Sequence, residues 1–454
     1  MKQGIISELK ERKILILGFG KEGRSTYEFI KNNVQVSEVI IADKNTIYEQ
    51  EVLEKEGAKV YTGDNYLDIM SEAEIVIKSP GIPLKDINIE AFKHKITSQT
   101  ELFLKYYKNK TIGVTGTVGK STTTSLVHHI LNEAKLDTKL VGNIGIPVFD
   151  ILDDADADYY VYELSSHQIQ SVDVSPHIAV LLNVFEEHLD YYSSYDDYVK
   201  AKQNIYLNSN MNDYLIYNYD LKDILVKGNP NCNLIGVSNN IFDNEVNVTE
   251  TDGVINYNLV AKKGSLKYNV EKINLEGKHN RFNIMIAATV CKLIDIDDES
   301  IVNGIETFKG LNNRLENIGT YKGVKYVNDS ISTVPEATIS AINSVKDAQT
   351  VLIGGMDRGI NYDNLIEFIN SGKIEEVILM YDSGKKIYEK INKKNDKFNV
   401  YYEEDLERAV KKGVEVTRKG KTCILSPASA SYGFFKNFEE RGQKFKEYVE
   451  TYTK

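Results

Sequence analysis

Cysteine is scarce in this sequence, which has three cysteines among its 454 residues. Cys232, Cys291 and Cys423 stand far apart without the spacing of a metal site, and such sparse usage favours a reducing compartment. No apolar run reaches membrane-spanning length, and residues 1–10 lack the apolar core of a signal peptide. We therefore expect a cytoplasmic protein without membrane insertion.

An excess of basic residues is also missing, because 55 Lys and Arg face 66 Asp and Glu, a net charge of -11. This balance argues against a basic face for nucleic acid, so an anionic ligand would have to be held by glycine loops and single basic residues. Internal repeats and low-complexity linkers are absent as well. The hydrophobic content of 42% fits a globular protein, and 454 residues suggest about three domains.

A phosphate loop is the strongest motif that is present. Residues 113–124 read G-V-T-G-T-V-G-K-S-T-T-T, after a predicted strand at 111–114 and before a predicted helix at 122–133. When a glycine loop joins a strand to a helix, the backbone N–H groups of the loop and of the helix N-terminus can point at one anion. Lys120 would then reach the terminal phosphates, and Ser121 would bind Mg²⁺. The alternative is a helix-capping turn that happens to contain a lysine.

A second glycine loop lies near the N-terminus. The apolar strand Lys13–Leu17 runs into G-x-G-x-x-G at 18–23, and the next predicted strand ends at Asp43. Loop and acid form the dinucleotide fingerprint, although the same loop can hold the pyrophosphate of any nucleotide-linked molecule. The alternative is a plain strand-to-helix turn. A further strand within 75–83 ends in a rigid turn, where open α/β sheets face their ligands.

Polar side chains follow several predicted strands of the central segment. Glu163 ends the strand at 159–162, and His188 follows the strand at 178–184. An acid and a histidine at separate strand tips suggest ligands for Mg²⁺, whereas a lone histidine is more often an ordinary surface residue. Asn280 and Asn283 share the first turn of a predicted helix, where they could read a base edge or cap the helix.

The last segment continues the α/β pattern, with a final amphipathic helix predicted from 434 to about 452. Its four strand candidates, with polar turns at their carboxyl ends, are residues 324–327, 351–353, 376–380 and 422–425.

The complete set of motifs resembles the Mur ligases, the ATP-dependent amino-acid-adding enzymes of peptidoglycan precursor synthesis. The motifs that carry the resemblance, in the family's order along the whole chain, are T-G-T-x-G-K-S-T, residues 142–145, 163–166, 183–184, 188–190 and 277–283, Arg314, and residues 328–330 and 426–442. The family implies three α/β domains: a Rossmann-like UDP-binding domain (1–99), a P-loop ATPase-like ATP-binding domain (100–310) and a Rossmann-like domain that closes on the site (311–454).

The resemblance also implies a reaction and partners. The nearest members join glutamate, by family default D-glutamate, to UDP-N-acetylmuramoyl-L-alanine as monomers. ATP phosphorylates the substrate carboxylate, and the glutamate amine attacks the acyl phosphate, so charge neutralisation carries the step and no protein nucleophile is needed. Open alternatives are the same ligation with L-glutamate, a folylpolyglutamate synthase-like ligase, and a nucleotide-binding protein without turnover.

Site residues follow from the resemblance one by one. Residues implied for the UDP substrate are Gly20, Lys21, Glu22, Asp43, Ser79, Gly81 and Asn143. Those for ATP are Gly116, Thr117, Gly119, Lys120, Ser121, Thr122, Asn280, Asn283, Arg314 and Asp329. Two Mg²⁺ sites are implied with the ligands Ser121, Glu163, His188 and Lys202, and the catalytic residues are Lys120, Glu163, His188 and Lys202. Lys202 matches a lysine whose carbamylated form is an anion, which suits Mg²⁺ better than an ammonium does.

The incoming glutamate is assigned to Thr333, Arg358, Ser426 and Tyr432 by the same resemblance. This chain departs from the family pattern here, because Ile331 and Arg358 each stand where a lysine is usual. Lysine and arginine offer a carboxylate different geometries. The departures resemble a branch that adds L-glutamate, so the stereochemistry of the substrate stays open at this point.

Overall fold

The computed structural model describes residues 1–83, 89–144, 146–154, 156–185, 191–239, 247–275 and 277–454. These residues form two compact units, Met1–Phe308 and Lys309–Lys454. The first unit holds a five-stranded and a nine-stranded sheet, and the second holds a six-stranded sheet. All three sheets are largely parallel with helices between their strands, which confirms the predicted α/β class. The domain boundaries at residues 99 and 310 stay predictions.

The five-stranded sheet is parallel throughout and has the order β3-β2-β1-β4-β5. The central strand β1 is apolar because both of its faces are covered. The chain reverses direction across the sheet between β1 and β4, so the turns after these strands lie side by side. The strands are β1 Lys13–Leu17, β2 Glu38–Asp43, β3 Lys59–Thr62, β4 Ile75–Lys78 and β5 Ile96–Thr97, and the helices are α1 Lys2–Leu9, α2 Lys21–Asn33, α3 Gln50–Lys55, α4 Ile89–Phe92 and α5 Gln99–Tyr107.

The nine-stranded sheet has the order β14-β13-β12-β11-β10-β9-β6-β8-β7, with antiparallel pairing only from β12 to β14. Its strands are β6 Thr111–Thr115, β7 Thr138–Gly142, β8 Tyr159–Glu163, β9 Ile178–Leu181, β10 Tyr214–Asn218, β11 Asn233–Ser238, β12 Val248–Thr251, β13 Val254–Leu259 and β14 Lys262–Lys267. Its helices are α6 Lys120–Glu133, α7 Ser166–Ile169, α8 Tyr195–Leu207, α9 Lys222–Gly228, α10 Lys278–Leu293 and α11 Asp298–Thr307.

Strand β9 ends three residues earlier than the predicted 184, and the prediction is wrong for a local reason. After Leu181 the backbone bonds to the end of β6 and then to the phosphate loop. The Leu182 N–H donates to the Thr115 carbonyl, the last of β6, at 3.0 Å. The Thr117 N–H likewise donates to the Asn183 carbonyl at 3.0 Å. The segment therefore supports a loop and does not extend the sheet.

The six-stranded sheet has the order β15-β16-β20-β17-β18-β19 and is parallel except for the β15–β16 pair. The four predicted strands are confirmed. The final helix was predicted four residues too early, because the Asn437 side chain caps it by accepting from the Glu440 N–H at 2.9 Å. The strands are β15 Glu316–Tyr321, β16 Val324–Asn328, β17 Ala348–Ile353, β18 Glu376–Met380, β19 Asn399–Glu403 and β20 Thr422–Leu425, and the helices are α12 Pro335–Ser344, α13 Asp363–Asn370, α14 Tyr381–Lys390, α15 Leu406–Val416 and α16 Phe438–Thr453.

The described part of the chain has no helix that is long and apolar enough to cross a membrane. The longest helices instead pack against the sheets, and α6 lies against both α10 and α11 through buried aliphatic side chains such as Ile130 and Ile301. This packing fixes the N-terminus of α6, which follows the phosphate loop directly.

Candidate active site

The phosphate loop joins the fully buried strand β6 to helix α6. Gly119 precedes the helix with φ +88°, and a Cβ at this position would lie 3.0 Å from Asn283 Oδ1. The left-handed backbone favours glycine here, and the close neighbour leaves little room for a side chain. The first N–H groups of a helix have no acceptor within it, so the start of α6 offers donors and positive potential to an anion.

Asn183 holds the loop in shape. Its Oδ1 accepts from the Thr117 and Val118 N–H groups at 2.9 and 2.8 Å, and its Nδ2 donates to the Val118 carbonyl at 2.9 Å. The sequence places Asn183 within a family motif but gives it no role. Its contacts show that a residue from the end of β9 preorganises the loop.

Two lysines converge on the loop carbonyl of Gly116. Lys120 Nζ and Lys202 Nζ each donate to it at 2.8 Å, and Lys120 also donates to the Thr117 carbonyl at 2.8 Å. Lys202 lies on α8 and is 2% exposed, with its Nζ 4.8 Å from the ring centroid of Tyr198. The structure thus brings two of the predicted catalytic residues to one oxygen atom.

Glu163 ends β8, which is the neighbour of β6, and is fully buried. Its Oε1 accepts from Asn143 Nδ2 at 2.7 Å. Its Oε2 is buried and has no hydrogen-bond donor among the residues that the structure describes. A buried carboxylate oxygen without a partner is costly, and an oxygen-seeking cation such as Mg²⁺ suits it. The residues present therefore fit a metal ion beside the phosphate loop.

Of the other two unmodified metal ligands that the resemblance implies, the structure describes only one. Ser121 is buried in the first turn of α6, whereas His188 lies outside the described residues. Within the described ranges, His, Cys, Asp and Glu form no group of three or more that could hold a metal ion. A metal at Glu163 would therefore need hydroxyl, modified lysine or ligand oxygens to complete its coordination.

The two asparagines predicted to contact adenine lie together in the first two turns of α10. Asn283 Nδ2 donates to Asn280 Oδ1 at 3.1 Å. Asn283 also approaches Gly119 of the phosphate loop, as the close contact to an added Cβ shows. The pair is therefore next to the loop, and base recognition stays a prediction.

The N-terminal glycine loop is held by two of the residues predicted for the UDP substrate. Asp43 Oδ2 accepts from the Phe19 N–H at 2.7 Å, and Ser79 Oγ donates to the Gly18 carbonyl at 2.7 Å. A Cβ at Gly23 would lie 2.1 Å from the Gly18 oxygen, so only glycine fits there. Gly20, Lys21 and Gly81 are exposed around this loop and the adjacent turn.

Glu22 belongs to a polar cluster that the sequence did not predict. Gln168 Nε2 donates to Glu22 Oε1 at 2.7 Å, and burial raises the pKa of the Glu22 carboxyl. Lys78 is 3% exposed and donates to the Ser79 and Ile82 carbonyls at 3.0 Å, while burial lowers its pKa to about 8. A lysine that ends a buried strand was the available sequence signal for this residue.

In the second unit, Asp329 and Ser426 form a buried pair at the ends of β16 and β20. Ser426 Oγ lies 2.8 Å from Asp329 Oδ2 and 3.0 Å from Thr338 Oγ1, and the Leu315 N–H donates to Asp329 Oδ1 at 3.1 Å. Burial raises the pKa of Asp329 to about 6, while the positive charge of the exposed Arg314 partly lowers it. The Ser426 hydroxyl is directed into the protein, so its predicted contact with glutamate would need a change of partner.

This buried carboxyl leads to a pH prediction. A folded-state pKa near 6, against an unfolded value of about 4, means that Asp329 favours folding below about pH 4 and loses that contribution as the pH rises through 6. Relative to Asp329→Asn, the wild type should therefore lose roughly 2 kcal/mol of unfolding free energy between pH 4.5 and 7. Urea denaturation of both proteins at the two pH values measures this difference, and parallel pH profiles would contradict it.

The remaining residues predicted for glutamate are more accessible. Arg358 is exposed after β17 and forms no ion pair with any residue in the described ranges. Tyr432 is 58% exposed after β20, and Thr333 is half-buried before α12. All follow strands of one largely parallel sheet, so they share its carboxyl edge.

Arg441 was missed by the sequence reasoning. It is fully buried on α16, where its guanidinium donates to Ser330 Oγ at 3.0 Å, to the Ser330 carbonyl at 2.9 Å and to the Ser429 carbonyl at 3.0 Å. Burial lowers its pKa to about 10. The arginine therefore ties the turn after β16 to the turn after β20.

Comparisons with known proteins agree with this arrangement of loops. Residues 114–291 match the Mur ligase middle domain, and residues 12–98 match the Mur ligase MurD-like, N-terminal domain. The chain belongs to the Mur ligase family, the ATP-dependent ligases of peptidoglycan precursor synthesis, which in general depend on Mg²⁺.

Two curated relatives cover nearly the whole chain. The chain is 34% identical to the UDP-N-acetylmuramoylalanine–D-glutamate ligase of Clostridioides difficile, over 97% of this chain and 99% of that protein. It is also 34% identical to the enzyme of the same name from Staphylococcus saprophyticus, over 96% of each chain. Among solved structures, MurF ligase from Thermotoga maritima in complex with ADP is similar with a TM-score of 0.57 at 16% identity, covering 100% of this chain and 99% of that one. This last likeness concerns the fold.

Proposed function

We propose that this protein joins glutamate to UDP-N-acetylmuramoyl-L-alanine, with ATP converted to ADP and phosphate. The observation that carries the proposal is the buried Oε2 of Glu163, which has no hydrogen-bond donor among the described residues. It lies beside a phosphate loop to which Lys120 and Lys202 donate. The names of the relatives support the choice of substrates.

The chain's own residues account for the phosphoryl transfer. The start of α6 and Lys120 bind the phosphates, and Asn183 keeps their donors in place. Glu163, Ser121 and a carbamylated Lys202 would hold Mg²⁺, which supplies charge neutralisation as the phosphoryl group moves to the substrate carboxylate. The glutamate amine then attacks the acyl phosphate, and phosphate leaves. Positioning and electrostatics carry both steps.

Carbamylation of Lys202 is supported by its surroundings. Lys202 is buried and lies with Lys120 on a single carbonyl oxygen, so two ammonium groups would repel each other there. Addition of carbon dioxide to the neutral amine, with release of a proton, gives a carbamate anion. The anion removes this repulsion and adds oxygen ligands for a cation. We extend the proposal to this modification.

Replacement of Lys202 by alanine should reduce ligation by roughly a hundredfold or more, because an anion beside the metal is lost. A small added carboxylate such as acetate or formate should restore part of the activity. Lys200→Ala is the matched control, because Lys200 lies on the same helix with a side chain that is 73% exposed. Full activity of Lys202→Ala without any added acid would contradict the modified-lysine role.

A ligation assay tests the proposed function. The purified protein is incubated with ATP, Mg²⁺, UDP-N-acetylmuramoyl-L-alanine and either D- or L-glutamate, and phosphate release and the mass of the product are measured. We expect a product one glutamyl residue heavier with D-glutamate, as the relatives are named. Product only with L-glutamate would support the other stereochemistry. Phosphate release that does not depend on the UDP substrate would overturn the proposal.

A further inference from the structure

One face of α14 holds the loop that carries Arg358. Ser383, Lys386 and Lys390 lie at helical spacing on this face, and each contacts a different point of residues 354–363. Ser383 Oγ accepts from the Gly355 N–H at 2.9 Å. Lys386 Nζ donates to Asp357 Oδ2 at 3.1 Å, and Lys390 Nζ donates to Asp363 Oδ1 at 3.2 Å. The helix therefore acts as a platform for the loop.

Ser383 differs from the two lysines in burial. The pairs of Lys386 and Lys390 are partly exposed, and such ion pairs are weak and screened by salt. Ser383 is fully buried, and its hydroxyl accepts from the Gly355 N–H and donates to the Gly355 carbonyl at 3.0 Å. Loss of a buried partner costs more than loss of a surface ion pair. Of the three side chains on this face of α14, Ser383 therefore holds the loop most strongly.

The Ser383 hydroxyl ends a directed chain of three buried hydroxyl groups. Ser429 Oγ donates to Ser383 Oγ at 2.7 Å, and the Tyr362 hydroxyl lies 3.2 Å from Ser429 Oγ. Because Ser429 uses its proton on Ser383, Tyr362 must donate to Ser429. Each hydroxyl thus donates to the next group of the chain, which ends at the Gly355 carbonyl. The chain joins the loop after β17 to the turn after β20.

The backbone at this point leaves no room for a side chain. Gly354 has φ +139°, and a Cβ there would lie 1.9 Å from the Met380 carbonyl oxygen. A Cβ at Gly355 would lie 2.3 Å from the Ala430 oxygen. Without side chains, the two glycines are held in place through their backbone groups, which makes the contact with Ser383 important.

The start of α14 also contacts the turn after β20. Tyr381 has φ +57°, which is strained for a bulky residue, and its ring stacks on Phe434 with centroids 4.0 Å apart. A strained conformation persists only where its surroundings fix it. The N-terminal turn of α14 is therefore fixed against two of the three loops that carry residues predicted for glutamate, those after β17 and β20.

We propose that Ser383 is a positioning residue for the incoming amino acid, acting through the hydroxyl chain Tyr362–Ser429–Ser383 to fix the loop of Arg358. This inference rests on the proposed function and on the prediction that Arg358 binds a carboxylate of glutamate. Ser383 itself touches no substrate, so its effect must pass through Arg358.

Replacement of Ser383 by alanine should raise the KM for glutamate about tenfold, because two buried donors lose their acceptor and the loop relaxes. The KM values for ATP and the UDP substrate should stay within twofold. Tyr362→Phe, which keeps the ring and removes only the first donor, should raise the glutamate KM about threefold. Ser371→Ala is the matched control, because its hydroxyl bonds only locally to the Phe368 carbonyl at 2.6 Å.

A double-mutant cycle separates positioning from general destabilisation. In an Arg358→Ala background, Ser383→Ala should raise the glutamate KM no further. Three results would overturn the inference. They are a glutamate KM that rises by the product of the two single effects, equal KM increases for all three substrates, and an unchanged glutamate KM in folded Ser383→Ala and Tyr362→Phe. If Ser383→Ala does not fold, the same cycle with Tyr362→Phe decides. A wild-type protein that ligates neither glutamate isomer would overturn the proposed function first, and the inference with it.

Discussion

Replacement of Lys120 by alanine should lower the rate of phosphate release by roughly 10²–10³-fold or more, while the UDP substrate still binds. The Lys120 ammonium lies at the phosphate loop, where it can neutralise charge that develops on the transferred phosphoryl group. The loop at 18–23, predicted for the UDP moiety, follows β1 in a different sheet. Steady-state phosphate release measures the first effect, and calorimetry with the UDP substrate measures the second.

Lys139→Ala is the control for this experiment. Lys139 lies on β7 and pairs with the exposed Asp154 at 3.3 Å, so its loss removes a positive charge without touching the loop. We expect its activity and UDP-substrate affinity to match the wild type. A large loss of UDP-substrate binding in Lys120→Ala would contradict the assignment of two separate loops to ATP and UDP.

Several parallel strands could be predicted because both of their faces are buried. Strands such as β1 and β6 read as uninterrupted apolar runs, followed by glycine loops that belong to known phosphate-binding patterns. The structure places these runs within one residue of the prediction. The same logic located Glu163, since it ends an apolar strand beside the loop.

Other strands were missed because they are half exposed. The edge strands β15 and β19 mix polar and apolar residues and have no fully buried position. The hairpins formed by β12, β13 and β14 are likewise partly exposed, and in the sequence they resemble turn-rich loops. Their pairing depends on neighbouring strands, which local composition does not encode.

The supporting residues of the site could not be found from local patterns either. Asn183 contacts a loop 65 positions away, and Arg441 contacts Ser330 at a separation of 111 residues. Gln168 and Glu22 are 146 residues apart. The resemblance named residues that are predicted to meet ligands. These three contacts hold such residues in position and become visible only in the folded chain.

Truncation of Arg358 to alanine should raise the KM for glutamate by roughly ten- to a hundredfold and leave the KM for ATP unchanged. Arg358 is exposed at the carboxyl edge of the sheet and forms no ion pair within the described residues. Since Ile331 stands where the family usually has a lysine, fewer cations remain to bind an acidic substrate. A charge-assisted hydrogen bond of about 1.5–3 kcal/mol accounts for the expected size.

Arg358→Lys should recover only part of the affinity, because the ammonium keeps the charge but loses the planar, two-pronged donor geometry. Arg418→Ala is the control, since Arg418 is an exposed arginine of the same unit that pairs with Glu375 at 2.5 Å, away from the loops after β16, β17 and β20. Kinetics with both glutamate isomers would show whether the arginine favours one of them. An unchanged glutamate KM in a folded Arg358→Ala protein would remove Arg358 from the substrate site, and the loop held by α14 would then need another role.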